Sequence, residues 1–348
     1  MSAPLQTAVV GATGYAGMEL VRLLARHPRL SPPLLLGRED ESNGAGDLAQ
    51  VFPHLSGNGA HPLEPFSWQK LEKAGVGLLF LATPHDVSHA WVPEALKRGL
   101  RVVDLSGAWR LKQKQNRAVY GFAGEETNGA AVVLECAVYG LPELNRDDLR
   151  TAQLVANPGC YATSIILALA PLVRAGLVHP EQGIVCDSKS GVSGAGKQPT
   201  PRTHFVEVAD NLSAYSVFEH RHTGEILEQL NIDGAQLTFT PHLLPIPRGI
   251  LSTIYLRLAK PMSAEKVSAC MQQFYQGSPW VRVFPQPKLP EIQFSLHTNY
   301  CDLGVSVAPD GRRAVLVSCL DNLLKGASGQ AVQNMNLMYG WGEREGLA

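Results

Sequence analysis

The first half of the chain repeats one pattern. A run of three to five apolar residues is followed by a polar or glycine turn, and then by apolar positions at helical spacing. Thr7-Ala8-Val9-Val10 is the first run, and Leu20, Val21, Leu23 and Leu24 carry the helical spacing after it. Pro33-Leu34-Leu35-Leu36 is the second run. Gly77-Leu78-Leu79-Phe80-Leu81 is the third, followed by a helix over Val87–Arg98 that Pro93 is free to kink. Arg101-Val102-Val103-Asp104-Leu105 and Leu154-Val155-Ala156 complete the series. Short continuous apolar runs belong to strands buried on both faces. Their alternation with helices predicts a parallel, doubly wound, Rossmann-like α/β domain over residues 1–156. Ser42 to Gly59, rich in glycine and asparagine, reads as an excursion off that sheet.

Beyond residue 160 the pattern changes. Ile184–Ser188, Leu237–Thr240, Leu251–Leu258, Val281–Phe284, Leu303–Val307 and Ala314–Ser318 read as strands, with Pro309-Asp310-Gly311 as a hairpin between the last two. Only Thr223–Leu230 and Ala264–Gln276 look helical among them. This predicts an α+β catalytic and dimerisation domain over 157–321 with a largely antiparallel sheet. Residues 322–348, with a Gln- and Asn-rich helix near Gly329–Tyr339, are expected to return and pack on the first domain.

Composition supports two globular domains: 348 residues, 45% hydrophobic and 18% charged. A net charge of −1 and no long Lys/Arg run argue against nucleic acid or a membrane as partner. The six cysteines are too scattered for a disulfide scaffold or a structural zinc site, which points to reduced thiols in a cytoplasmic protein. No metal is expected.

Gly11-Ala12-Thr13-Gly14-Tyr15-Ala16-Gly17 lies between the first strand and the first helix. In that setting glycines permit a tight turn, approach of a pyrophosphate to the helix N-terminus, and close helix–strand packing. The GxxGxxG spacing is a variant found where NADP binds, so Gly11, Thr13, Gly14, Tyr15 and Gly17 are candidate cofactor contacts. Arg38, after the second strand, suits a 2′-phosphate; Glu39 or Asp40 suits a ribose hydroxyl, and the cluster also reads as a solvated loop. Ala82 and Pro84 end the third run, at the sheet edge where the cofactor is expected. His85 and Arg110 read more readily as surface-polar loop residues than as ligand contacts.

Asn157-Pro158-Gly159-Cys160 reads as a tight turn leading into a helix. A thiol at a helix N-terminus is activated by the helix dipole, and the N–H groups there can steady an oxyanion. Taken alone, Cys160 reads equally as a buried small hydrophobe. His220-Arg221-His222 groups potential cations for a carboxylate or phosphate, or serves as a solvated helix cap. Ser190–Lys197 is a glycine-rich loop without Walker spacing, either an anion cradle or a mobile linker. Thr240–Ile250 places His242 and Arg248 on what reads as a proline-stiffened loop; a histidine held there suits proton transfer.

Together these motifs resemble the N-acetyl-γ-glutamyl-phosphate reductase family. The likeness also takes in Val51–Leu55, Asp104-Leu105-Ser106, Tyr139–Leu144 and Asp321–Ala327. It implies an NADP(H)-dependent oxidoreductase that converts N-acetyl-L-glutamyl 5-phosphate to the 5-semialdehyde and phosphate in arginine biosynthesis. Cys160 is then the nucleophile, forming a thioester, and His242 the acid/base. The resemblance further implies Ser190, Gly191 and Asn322 as cofactor contacts, and Asn157, Ser193, Lys197, His220 and Arg248 as substrate contacts. The assembly it implies is a homodimer or homotetramer. The acidic loop after Arg38, Lys197 in place of arginine, and Phe218-Glu219 depart from the family pattern. Alternatives are the same chemistry on a carrier-protein-linked aminoadipyl or glutamyl phosphate, aspartate-semialdehyde oxidation, and a non-catalytic NADP-binding sensor.

Overall fold

Each apolar run of the first half becomes a strand of one seven-stranded sheet that is parallel throughout. Its order is β3-β2-β1-β4-β5-β7-β6. The structure, a computed structural model, describes residues 3–37, 46–57, 59–122, 124 and 129–347. The strands are β1 (Thr7–Val10), β2 (Leu34–Gly37), β3 (Leu63–Pro65), β4 (Leu78–Leu81), β5 (Arg101–Asp104), β6 (Ala137–Tyr139) and β7 (Leu154–Ala156). The edge strands β3 and β6 are not among those runs: β3 is Leu63-Glu64-Pro65, and β6 follows the helix ending at Cys136 with no turn between. The longer helices here are α1 (Tyr15–Leu24), α2 (His85–Lys97) and α3 (Pro142–Thr151).

The strand order reverses at β1, whose neighbours are β2 and β4. Gly11 leaves β1 at φ +85°, and a Cβ there would stand 2.3 Å from the carbonyl oxygen of Ala82 at the end of β4. A Cβ at Gly17 would stand 2.1 Å from the Gly11 oxygen. Both positions therefore require glycine, one for backbone conformation and both for approach. At Gly14 the nearest atom is 3.6 Å away and φ is −80°, so its lack of a side chain leaves room that the protein itself does not fill.

The chain forms two compact units. Met1–Lys112, Gly124–Asn157 and Ser328–Ala348 make one; Gln113–Ala123 and Pro158–Ala327 make the other. The second unit holds α4 (Cys160–Arg174), α5 (Thr223–Leu230), α6 (Ala264–Phe274) and strands β8 (Ile184–Gly191), β9 (Ser213–Ala214), β10 (Leu237–Leu244), β11 (Ile250–Arg257), β12 (Val281–Val283), β13 (Cys301–Val307) and β14 (Arg313–Leu320). Their sheet runs β12-β13-β14-β11-β8-β10-β9 and is mixed, with β8/β10 and β12/β13 parallel. The hairpin at Pro309–Gly311 joins β13 to β14.

Helix α4 packs on one face of this sheet, against β11 and β14. Ser164 Oγ of α4 lies 2.9 Å from the hydroxyls of both Ser252 of β11 and Ser318 of β14, and Ser188 Oγ of β8 lies 2.8 Å from that of Ser252, a hydrogen-bonded hydroxyl cluster. The hydroxyls pair among themselves, which makes their burial tolerable. On β8, Cys186, Ser188 and Ser190 are buried, whereas Val185 is exposed and Asp187 and Lys189 are half-buried. Period-2 alternation turns those three side chains to the other face.

The final helix α7 (Gly329–Met338) packs on α1 and α3 within the first unit. Its amides are buried and serve as ties: Asn334 Nδ2 donates to the Gly140 carbonyl at 2.8 Å and to Asn157 Oδ1 at 3.0 Å. Just before it, Ser328 Oγ donates to the Ala16 carbonyl at 2.7 Å. Among the described residues, no helix is long and apolar enough to cross a membrane.

Replacing Gly17 with Ala is expected to destabilise the fold by about 1–3 kcal/mol through overpacking. Gly14→Ala stays within about 1 kcal/mol of wild type. Urea denaturation of the two variants checks the contrast.

Candidate active site

Cys160 is the first residue of α4, and two glycines make the space around it. A Cβ at Gly159 would lie 2.4–2.6 Å from three ring atoms of His222. A Cβ at Gly326 would lie 2.7 Å from Cys160 Cβ. The missing side chains let an imidazole close on the turn before the thiol and let the 321–327 segment close on the thiol's own residue. The Gly159 N–H donates to Glu225 Oε2 at 2.9 Å.

A cavity of about 370 Å³ opens here, lined among others by Cys160, Tyr161, Ser190, His220, His222 and Leu243. Arg202 and Arg221 also line it and place two guanidinium groups on its wall. His220 and His222 are buried, with ring centroids 4.7 Å apart, and the His222 N–H donates to His220 Nδ1 at 3.1 Å. Burial, with Arg221 beside it, lowers the His220 pKa to about 4. His220 is thus neutral at pH 7, with its proton on Nε2, and is no cation for a phosphate. Burial raises the pKa of Tyr161 and of Tyr215, so both phenols keep their protons.

The structure does not bring His242 to this cavity. Strand β10 continues through Pro241 to Leu244, so His242 lies on a strand and not on a loop. Pro241 is tolerated because its carbonyl, accepting from the Tyr215 N–H at 3.0 Å, faces the side of the two-residue edge strand β9. Its missing donor falls on that side too. Leu243 lines the cavity, so alternation turns the neighbouring His242 side chain to the opposite face of the sheet. There its Nδ1 lies 3.1 Å from Asp187 Oδ1, and Lys189 pairs with the same carboxylate. A tie to the nucleophile's helix runs through its backbone: Tyr161 Oη donates to the His242 carbonyl at 2.8 Å.

The residues expected to meet substrate (Arg248, Ser193, Lys197) and cofactor (Ser190, Gly191, Asn322) stand as follows. Arg248 pairs with the fully buried Asp321 at 3.0 Å, and Asp321 also accepts the N–H groups of His297 and Leu323. Asn322 accepts from the Gly249 N–H at 2.8 Å and donates to Ser193 Oγ at 2.9 Å, tying two loops together. Gly191 has no room for a Cβ, which would stand 2.6 Å from the Arg248 nitrogen. Ser190 lines the cavity, whereas Lys197 is exposed.

In the first unit, Asn157 is buried, and its side chain accepts from Asn334. The α1 N-terminus has no acidic residue in its first turn, and Gly14 leaves it open. That cradle fits a dinucleotide pyrophosphate, with Thr13 and Tyr15 beside it and Ala82 across from Gly11. Pro84 is the cap of α2. Arg38 lies outside the described residues, as do Glu39 and Asp40. His85 Nδ1 accepts from the Gly107 N–H at 3.1 Å. Arg110 is buried, donating to the carbonyls of Asn157 and Leu105 at 2.7 Å, so it is a structural residue and not surface-polar. Among the described residues, no three His, Cys, Asp or Glu side chains gather closely enough to hold a metal ion.

Sequence reasoning missed Glu225, Arg202 and Tyr215. Glu225 left a signal: it sits beside Ile226, which lies one turn before Leu230, on the buried side of a short amphipathic helix, where a carboxylate needs a reason. Arg202 and Tyr215 left none, since their segment has little periodicity.

Residues 6–152 match the family model described as the semialdehyde dehydrogenase NAD binding domain, and residues 160–322 match the semialdehyde dehydrogenase dimerisation domain. Relatives named N-acetyl-gamma-glutamyl-phosphate reductase are similar over almost the whole chain. The protein of Desulforudis audaxviator is 46% identical over 347 residues, covering 99% of this chain and 98% of its own. That of Pelotomaculum thermopropionicum is 44% identical over 347 residues, with the same coverage. Among solved structures, aspartate semialdehyde dehydrogenase II of Vibrio cholerae, complexed with ASA, shares the fold at TM-score 0.72 and 18% identity. The match covers 97% of this chain and 98% of that one. The aspartate semialdehyde dehydrogenase of Candida albicans, solved with NADP, does so at TM-score 0.67 and 16% identity, covering 96% and 98%.

The His220 pKa, lowered from 6.5 to about 4, makes stability depend on pH. The unfolded chain takes up the proton first, so the stability present above pH 6.5 is lost as pH falls toward 4. This amounts to about 3 kcal/mol. Chemical denaturation across that range should show the loss in wild type, and His220→Gln should lack this part of the slope.

Proposed function

The chain belongs to the N-acetyl-γ-glutamyl-phosphate reductases of the semialdehyde dehydrogenase family, NADP-dependent oxidoreductases of arginine biosynthesis; on that footing we propose that it reduces N-acetyl-L-glutamyl 5-phosphate through a thioester on Cys160, with His222 as the proton carrier. The observation that carries this reading is the cavity in which Cys160, at a helix N-terminus, stands with two buried histidines.

Cys160 loses its thiol proton to His222, and Sγ attacks the acyl carbon. The carbon–oxygen bond to phosphate breaks, leaving a thioester and free phosphate. Developing negative charge on the carbonyl oxygen is favoured by the α4 N-terminus, whose first N–H groups have no partner within the helix. NADPH, when bound, would supply the hydride for the thioester carbonyl. The thiohemiacetal oxyanion on Cys160 then collapses, the carbon–sulfur bond breaks, and the semialdehyde leaves. His222 returns its proton to the thiolate. The thioester matters because it is a better hydride acceptor than a carboxylate. Gly11, Thr13, Gly14, Tyr15, Gly17, Ala82 and Pro84 would hold the cofactor, with Arg38 as candidate for its 2′-phosphate. Arg202 and Arg221 are the cations suited to the substrate's phosphate and carboxylate.

The dimerisation-domain match supports self-association, for which we propose a homodimer or homotetramer. None of the six cysteines is in a disulfide, which suits a reducing, cytoplasmic setting.

Phosphate-dependent NADP reduction should favour N-acetylglutamate semialdehyde over aspartate semialdehyde by more than about tenfold in kcat/KM. Equal rates would overturn the substrate assignment. Cys160→Ser should abolish turnover; a near-normal rate would remove covalent catalysis. His222→Asn should lower kcat about 10²–10⁴-fold, with His242→Asn near wild type, and the reverse order would return the proton role to His242.

A further inference from the structure

The chain between Phe205 and Phe218 has one side in the site and the other in water. Tyr215 and Ser216 line the cavity, as does Arg202 just upstream. Phe205 and Phe218 are 80% and 72% exposed, and Val206, Leu212 and Val217 are exposed as well. These are five of the eleven large apolar side chains that stand exposed among the described residues. Apolar side chains scattered singly over a surface need no explanation, but so dense a group marks an interaction surface. The hydrogen bonds that tie the stretch to the sheet run inward, to β10. Ser213 and Ala214 of the edge strand β9 pair with Leu243 and His242, and the Tyr215 N–H reaches the Pro241 carbonyl. The backbone is strained: Asp210, Ser216 and Phe218 have φ of +55°, +45° and +63°. An aspartate or serine accepts the left-handed region at modest cost, but a phenylalanine there must be held by its surroundings. A ring standing in solvent gives no such hold.

The occupant that fits this outer side is a second copy of the chain. The stretch lies within residues 160–322, which match the dimerisation domain. It carries Glu207 and Asp210 and no lysine or arginine, a balance that disfavours nucleic acid or an anionic membrane. We propose that a second copy packs on Phe205, Val206 and Phe218, and that this cover holds the Tyr215 wall of the cavity in its working shape, so that the site is complete only in the assembly. Self-association, proposed above, is the premise; what is added is its surface and its consequence for turnover. The consequence follows from the thinness of the wall. A single stretch of chain separates the cavity from solvent, so covering its outer side fixes the residues that face the substrate.

The test compares the full chain as wild type, as the double variant Phe205→Asp/Val206→Asp, and as Val132→Asp, an exposed apolar position of the other unit. Sedimentation, kcat/KM, NADPH binding and thermal melting are followed over a range of protein concentration, with hydrogen exchange of wild type over the same range. The double variant is expected to associate at least about 100-fold more weakly and to bind NADPH like wild type. Its kcat/KM should fall about 10–100-fold, and the loss should shrink as protein concentration rises, which a merely local defect would not do. Wild-type amides from Phe205 to Phe218 should exchange more slowly as the chain associates. Val132→Asp should match wild type throughout. A double variant that associates normally, one that is monomeric with wild-type kcat/KM, or a loss independent of concentration overturns the proposal and leaves self-association standing. If the double variant does not fold, hydrogen exchange decides, and unprotected 205–218 amides in associated wild type overturn the proposal. A wild type that is monomeric at every concentration overturns both the assembly and this surface.

Discussion

The site depends on the burial of helix α4. From Tyr161 to Leu172 it has no exposed residue, so its position is set on every side. Ile165, Ile166, Leu167, Leu169 and Leu172 each contribute roughly 1.5–3 kcal/mol by leaving water. Its polar residues turn inward without penalty, because Thr163 bonds back to the Gly159 carbonyl at 3.1 Å and Ser164 meets two strand hydroxyls. A helix held this way cannot drift or fray at its start. Cys160 is therefore delivered to a fixed place, with the glycine-lined gap around it matched to one imidazole ring.

The second constraint is the parity of the strands. Cys186, Ser188 and Leu243 face α4 and the cavity, whereas Asp187, Lys189 and His242 do not. A single residue's shift in register would exchange the two sets. This explains why two adjacent residues of β10 belong to different environments, and why a histidine close in sequence to a cavity-lining leucine is held by an aspartate on the far face.

Much of the fold was legible because the parallel strands are short, unbroken and apolar, and because Gly11 and Gly17 sit where the backbone admits nothing larger. The nucleophile was legible from local chemistry alone: a turn, a cysteine, a helix. His242 was not, since Pro241 reads as a strand terminator unless one knows that the neighbouring strand on that side is only two residues long. Arg110 and Arg248 read as surface or substrate cations because sequence does not reveal the buried carbonyls and the carboxylate that engage them. Glu225 went unread for a related reason. Its meaning lies in a backbone N–H 66 positions earlier, and no periodicity encodes that distance.

The ties made by α7 bear on the order in which the protein can be assembled during synthesis. Residues 158–327 form one nearly continuous unit, needing in addition only the 113–123 segment, which is made earlier. The parallel-sheet unit begins near the N-terminus but includes Ser328 onward, whose buried amides bond Gly140 and Asn157 and whose first hydroxyl bonds Ala16. The half of the protein translated first is thus completed last. Until α7 leaves the ribosome, the carbonyls of Gly140 and Ala16 and the Asn157 side chain lack these partners. The cysteine-bearing unit has by then been made in full, which reverses the usual N-to-C order of domain completion.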